Sequence, residues 1–168
     1  MKLTAIAGRG LSIGLWTIAL LFGWCSSPAQ ETTATSGPGS ALSIPKAQLI
    51  QPEDLQRLIQ SGSADKPLVV QVGSHVLYAE AHIPGSTYAG PGSQAAGLQG
   101  LKSLLASHSR KQFIVLYCGC CPWTHCPNIG PAYQQLRKMG FTDVKVLYLA
   151  DNFGSDWVNK GYSVERGR

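Results

Sequence analysis

Charge is scarce in this chain. Of its 168 residues only 14% are Asp, Glu, Lys or Arg, and the formal net charge of +5 is not gathered anywhere. Lys2 and Arg9 lie in the extreme N-terminal segment, and the other basic residues are scattered among acids without a run. The clustered cationic face that nucleic acid requires is therefore missing. No internal repeat is visible, and there is no Gly-rich phosphate loop, since Gly37-Pro38-Gly39 does not join a strand to a helix. Cysteine is missing from almost the whole length: apart from Cys25, every one (Cys118, Cys120, Cys121, Cys126) falls in a single short stretch. Cysteines placed so cannot staple distant segments together, which is how disulfides stabilise most effectively. They mark a site, or a local disulfide beside one.

The first residues carry an export signal. Lys2 and Arg9 form a basic start, Leu11 to Trp24 an apolar centre, and Ser27-Pro28-Ala29 the small residues that signal peptidase accepts. Cleavage after Ala29 is expected, making residues 1–29 a signal peptide and the mature protein exported, into a bacterial periplasm. Lipidation of Cys25 is the competing reading, disfavoured by the bulk of Trp24 before it; an uncleaved anchor ranks third, because the apolar run is short for a membrane span. Membrane contact is expected only through this segment. Residues 30–45, rich in Thr, Ser, Gly and Pro, read as a flexible tether, and 46–168 as one globular domain.

Within the domain the apolar pattern alternates in type. Gln51 to Ile59 has Pro52 at a helix start, acids in the first turn and Leu55, Leu58 and Ile59 on one face, so it predicts a short amphipathic helix ended near Ser61-Gly62. Pro67 to Val72, Gln112 to Tyr117 and Val144 to Leu149 are short continuous apolar runs of the kind buried on both faces of a parallel sheet. Ser93 to His108 and Cys126 to Met139 carry helical spacing, the second with Gly140 as its C-terminal stop. Asp156 to Lys160 predicts a terminal helical turn closed by Gly161. Strands and helices in alternation imply an α/β fold with helices on both sheet faces.

The cysteine stretch, Tyr117-Cys118-Gly119-Cys120-Cys121-Pro122-Trp123-Thr124-His125-Cys126-Pro127, lies between a buried strand and a helix start. In α/β proteins that is where free backbone N–H groups meet a ligand. Cys118, facing a helix N-terminus, is expected to have a lowered pKa. The N–H groups of Gly119 to Trp123, with Pro122 and Thr124 shaping the loop, are expected to cradle it. Cys120, Cys121 and Cys126 are candidate resolving thiols, able to displace hydrosulfide from a persulfide and leave a disulfide. His125 is expected at the helix start, tuning the thiols. Trp123 reads as a lid over the cysteines or a partner contact, and Asn152, Phe153 and Trp157 as support.

His82-Ile83-Pro84-Gly85-Ser86, the strand ending in Tyr117-Cys118, the helix after it, Gly140-Phe141-Thr142-Asp143-Val144-Lys145-Val146-Leu147, Trp157 and Gly161-Tyr162, taken in order, resemble a rhodanese-like domain over about residues 46–165. The resemblance implies a single domain with a central parallel five-stranded sheet and helices on both faces, and Cys118 as catalytic cysteine of a sulfurtransferase. It also makes His82 a supporting residue whose ring bonds to backbone. Two departures stand out. The Asp and Arg that family members usually carry before the His-Ile-Pro-Gly segment correspond here to Gln71 and Gly73, and Gly119 to Trp123 contains no cation for an anionic donor such as thiosulfate.

The leading expectation is thus a persulfide carrier on Cys118, with no cofactor or metal, exchanging sulfur with a small donor or thiol acceptor, and with a redox partner protein as a further candidate. Cys118-x-x-Cys121 also has dithiol redox spacing, which supports thiol–disulfide chemistry as the alternative. A thioredoxin fold is excluded, because no proline follows Pro131 to supply the cis-proline it needs. The thiols with His125 as ligands for a soft ion, Cu(I) or Zn(II), make a third reading. A non-catalytic binding module is the fourth.

Overall fold

The computed structural model describes residues 44–62 and 66–167. The expected signal peptide, Cys25 and the tether up to residue 43 lie outside the described residues. Strand β1 (Leu49–Ile50) leads into helix α1 (Pro52–Gln60), β2 (Leu68–Gln71), α2 (His75–Glu80), β3 (Thr87–Tyr88), α3 (Ala95–Leu105), β4 (Ile114–Tyr117), α4 (Ile129–Lys138), β5 (Val144–Leu147) and α5 (Phe153–Asp156). The five strands form one sheet in the order β1-β5-β4-β2-β3, and every pairing is parallel. The central register sets Val70 beside Leu116 and Leu116 beside Val146.

Alternation along the strands divides the core in two. On one face Val70, Ile114, Leu116, Val144 and Val146 pack with Leu101 and Leu105 of α3 and Ala132 and Leu136 of α4, and Cys118 belongs to this layer. On the other, Val69, Val115, Tyr117 and Leu147 pack with Leu55 of α1, Phe153 of α5 and Trp157. All four residues of β4 are buried, as a strand covered on both faces requires. Ile44, the first described residue, is already part of the first layer.

The helix ends follow from local chemistry. Gly140, at φ 86°, lets its own N–H reach Arg137 O and that of Phe141 reach Leu136 O, a Schellman closure that turns Phe141 into the core. The start of α4 differs from the sequence expectation. Cys126 was expected to begin that helix, but it is extended (φ −73°, ψ 112°) because Pro127 disfavours helical geometry in the residue before it, and the helix begins at Ile129. A 3-10 turn, Trp123–His125, fills the loop instead. The terminal turn also divides: α5 ends at Asp156, Trp157 leaves helical geometry, and a separate 3-10 turn, Val158–Lys160, closes at left-handed Gly161.

Trp157 is completely buried and its indole N–H donates to Ser163 O at 2.9 Å. Truncation to Ala is expected to lower the unfolding free energy by about 3–5 kcal/mol. Trp157→Phe keeps most of the packing and should cost less than half of that; denaturant unfolding followed by circular dichroism checks both.

Candidate active site

The site is built where β4 runs out. Cys118, 3% exposed, follows the last strand residue and continues its alternation into the α3/α4 layer. Gly119 then turns away at φ 78°, and a Cβ there would lie 2.6 Å from Phe153 Cβ, so only glycine lets the loop pass this close to α5. Phe153 N–H donates to Gly119 O, fixing that approach. Gln71, at the end of β2, clamps the other side: its Nε2 donates to Cys118 O at 3.2 Å and its Oε1 accepts from Gly73 N–H at 3.1 Å. A Cβ on Gly73 would come within 3.0 Å of Cys118 Sγ. The two departures read from the sequence, Gln71 and Gly73, thus form an uncharged brace behind the cysteine.

Four free thiols gather here. Cys118 Sγ is 3.2 Å from Cys120 Sγ, which is 3.0 Å from Cys121 Sγ. The sulfurs of Cys118, Cys120 and Cys126 all lie within 4.8 Å of one another. Asn128 orders them: its Nδ2 donates to Cys118 Sγ at 3.3 Å and reaches Cys120 Sγ at 3.6 Å, while its Oδ1 accepts from the Ser93 N–H and hydroxyl. Those two donors fix which way the amide faces. At the start of α4 the backbone N–H groups of Asn128 and Ile129 favour a charge on Cys126, whereas the sequence suggested Cys118.

Electrostatics follow from that packing. The Cys120 thiol is pulled down to about 2, first by S–H donation from Cys118, then from Cys126, with Cys121 and the Asn128 amide adding to it. Cys118 is pushed far above the ordinary thiol range by its bonds to Cys120 and Cys126 and by burial. Cys121 is pushed up as well, by burial and then by its bond to Cys120. For Cys126 the bond with Cys118 favours the thiolate, but the bond to Cys120 and burial outweigh it, and the net direction is also upward. The cluster therefore ionises as a unit, and the directions of the shifts favour Cys120 for the first negative charge, while a second thiolate would meet it at contact distance. The expectation of a lowered pKa on Cys118 is corrected by this arrangement.

Other candidates fall elsewhere. The Thr124 hydroxyl is bonded to His125 Nδ1 at 2.8 Å, and both side chains are exposed; only the His125 carbonyl meets the cluster, accepting from Cys121 Sγ at 3.8 Å. Trp123 leans on Tyr148 with ring centroids 5.3 Å apart, and its N–H donates to Ala150 O. That N–H is consequently not part of a cradle, and Pro122 has none to give. The N–H groups of Gly119, Cys120 and Cys121 have no protein acceptor among the described residues. His82 stacks on Tyr78 at 4.0 Å, its Nδ1–H donates to Tyr78 O, and its Nε2 lies 3.7 Å from the Glu165 carboxylate. The following residue, Ile83, donates its N–H to Tyr117 Oη, so this segment steadies the last residue of β4.

Cys118, Cys120 and Cys121 open onto a pocket of about 440 Å³. Its walls are largely apolar, with Leu77, Phe153 and Val158, and its two charged residues, Glu80 and Arg166, are of opposite sign. Arg166 is tied down by donating to Glu80 O. Tyr117, also in the wall, is kept a neutral phenol, because burial holds its pKa well above the usual value.

A parallel five-stranded sheet covered on both faces, with a cysteine loop between a central strand and a helix, defines an α/β fold with its site at a strand's C-terminal end. The family profile of the rhodanese-like domain matches residues 51–149, more than half of the chain, and the chain belongs to that family. Solved structures agree on the fold. The BH2092 protein of Bacillus halodurans is 25% identical, with a TM-score of 0.54 over 70% of this chain and 75% of that one. The rhodanese-like domain of the Anabaena Alr3790 protein is 18% identical, with a TM-score of 0.54 over 71% and 79%. A thiosulfate sulfurtransferase from Pseudomonas aeruginosa is 21% identical, with a TM-score of 0.50 over 71% of this chain but 20% of that one. A search of curated proteins found none that matches the chain.

Asn128 is the site residue that sequence reasoning missed. Its signal was slight, a polar side chain directly after Cys126-Pro127 and before a helix, and it reads there as an ordinary cap. Cys120 is expected to be the first thiol alkylated by iodoacetamide at pH 5, and Cys118 the last. That selectivity should fade only as pH falls toward about 2, where Cys120 gains its proton. Peptide mapping by mass spectrometry checks the order.

Proposed function

We propose that this chain is a sulfurtransferase in which Cys118 carries a sulfane sulfur as a persulfide, and that its donor is a small, weakly charged species such as an organic persulfide. The observation that carries the reading is the 3.2 Å contact of Cys118 and Cys120 sulfurs at the wall of an apolar pocket. Membership of the rhodanese-like family supports sulfur transfer, as does the named activity of the Pseudomonas aeruginosa neighbour. The pocket chemistry points away from thiosulfate, because its wall carries one cation, Arg166, and one anion, Glu80, and so no net positive charge.

The Cys120 thiolate accepts the Cys118 S–H and raises the electron density on the buried Cys118 sulfur. With a donor R–S–SH in the pocket, the Cys118 sulfur attacks the outer sulfur, the donor S–S bond breaks, and the Cys118 proton leaves with the departing sulfur as R–SH, so charge is conserved and Cys120 keeps its own. The N–H groups of Gly119, Cys120 and Cys121 are free to solvate that charge. Transfer to an acceptor thiol runs the same step in reverse. The Cys118–Cys120 contact also favours a second outcome: Cys120 attacks the inner sulfur of the Cys118 persulfide, hydrosulfide leaves, and a disulfide remains that an external dithiol must reduce.

Incubated with an organic persulfide, the reduced protein is expected to gain one sulfur by intact mass, and Cys118→Ser to gain none. Cys120→Ser should still gain it but slowly, at least tenfold slower at pH 7. Its rate should rise with pH only above the ordinary thiol range near 8.5, whereas the wild-type rate stays flat through neutrality. A mass loss of two hydrogens with no adduct supports the disulfide reading, and no change in either direction contradicts both.

We also propose that the protein works outside the cytoplasm, on the strength of Lys2, Arg9, the apolar run to Trp24 and the small residues at Ser27-Pro28-Ala29. Fractionation should find the protein outside the cytoplasm with an N-terminus at Gln30; a cytoplasmic protein that keeps residues 1–29 would contradict it, and a lipid-modified Cys25 at the N-terminus would move the cleavage site while leaving export standing.

A further inference from the structure

Sulfur transfer needs one thiol to carry the sulfur and at most a second to assist it, yet a third sulfur closes a triangle. Cys126 arrives from the far side of the loop. It is held extended by Pro127, and its Sγ lies within 4.8 Å of both Cys118 Sγ and Cys120 Sγ. Sulfurs bound about 2.3 Å from a central ion sit roughly 4 Å apart in trigonal geometry. The triangle, with one edge of 3.2 Å and none above 4.8 Å, surrounds such a point and needs side-chain adjustments of under about an ångström.

The donor set is purely sulfur. The His125 ring is bonded to Thr124 and exposed, and among the described residues no carboxylate joins the group. All-thiolate sites select soft ions over Mg²⁺, Ca²⁺ or Mn²⁺. Cys121 touches Cys120 but lies outside the mutually close trio, which leaves three ligands rather than the four that structural Zn(II) takes. Three thiolates around a monovalent ion carry surplus negative charge, and donors are in place to offset it. Asn128 Nδ2–H faces Cys118 and Cys120 at 3.3 and 3.6 Å, and the backbone N–H groups of Asn128 and Ile129, at the start of α4, favour a charge on Cys126. The Asn128 amide is locked by Ser93, the outer-shell support that a metal site calls for.

We propose that Cys118, Cys120 and Cys126 form a three-coordinate site for a soft monovalent ion, Cu(I). Because Cys118 belongs both to this site and to the sulfur-carrying one, bound copper and a persulfide exclude each other. Copper occupancy then switches sulfur transfer off, and displacement by a stronger thiol ligand restores it.

The test is an anaerobic titration of the reduced full chain with Cu(I) against a chromophoric Cu(I) chelator. The expected result is one ion per chain, and X-ray absorption with three sulfur scatterers and no nitrogen. In the wild-type protein, copper should protect Cys118, Cys120 and Cys126 from alkylation and leave Cys121 open. Cys126→Ser, with circular dichroism as a check on folding, should bind at least tenfold more weakly, while Cys121→Ser binds like wild type. Loss of copper to the chelator, nitrogen or oxygen ligands, preferential retention of Zn(II), or loss of binding in Cys121→Ser would each overturn the proposal. The sulfur-adduct mass of the copper-free protein is read separately, so failure here leaves the transfer reading standing or falling by itself.

Discussion

The site depends on how Asn128 is held. Its amide donates to the sulfurs of Cys118 and Cys120, and it cannot turn away because Ser93, on the loop before α3, occupies its oxygen with two bonds. That one side chain links the start of α4, the end of β4 and the approach to α3. Without it Cys118 and Cys120 would lose the side-chain N–H donor they share, and a thiolate on either would be left mainly with S–H partners. Charge-assisted bonds of this kind are about twice as strong as neutral ones, so the polar bridge shapes the chemistry more than the surrounding packing does.

Around that bridge the fold divides the work. The apolar sheet, buried on both faces, fixes the height at which Cys118 emerges. Gln71 and Gly73 brace it without adding charge, and Gly119 lets the loop cross Phe153 closely enough to close the pocket floor. The consequence is a Cys118 thiol that is itself protonated but sits in contact with the low-pKa thiol of Cys120. The proposed sulfur transfer and the proposed soft-metal site would both draw on this arrangement, since both need thiols presented together in a site with little competing charge.

Much of this was legible in the residues. The cores of β2, β4 and β5 read as continuous apolar runs, and α1, α3 and α4 as periodic faces, because burial on two sides or on one stripe leaves those patterns. Strands β1 and β3, of two residues each, and the six-residue α2 are too short to carry a period and exist through their pairing and packing partners. The start of α4 was misplaced by three residues although Pro127 held the signal, its effect being on the residue before it. In the site, the four cysteines were plain from spacing. What could not be read was which of them ionises, because that depends on sulfur–sulfur distances of 3.0 and 3.2 Å and on an amide whose anchor lies 35 residues away in sequence.

The central proposal is that an apolar, thiol-lined pocket loads sulfur onto Cys118 from a donor of low charge. Single-turnover loading of the reduced protein, followed by intact mass, with an organic persulfide and with thiosulfate at equal concentration, tests it most directly. Loading from the persulfide is expected to be at least a hundredfold faster; equal or faster loading from thiosulfate would contradict it.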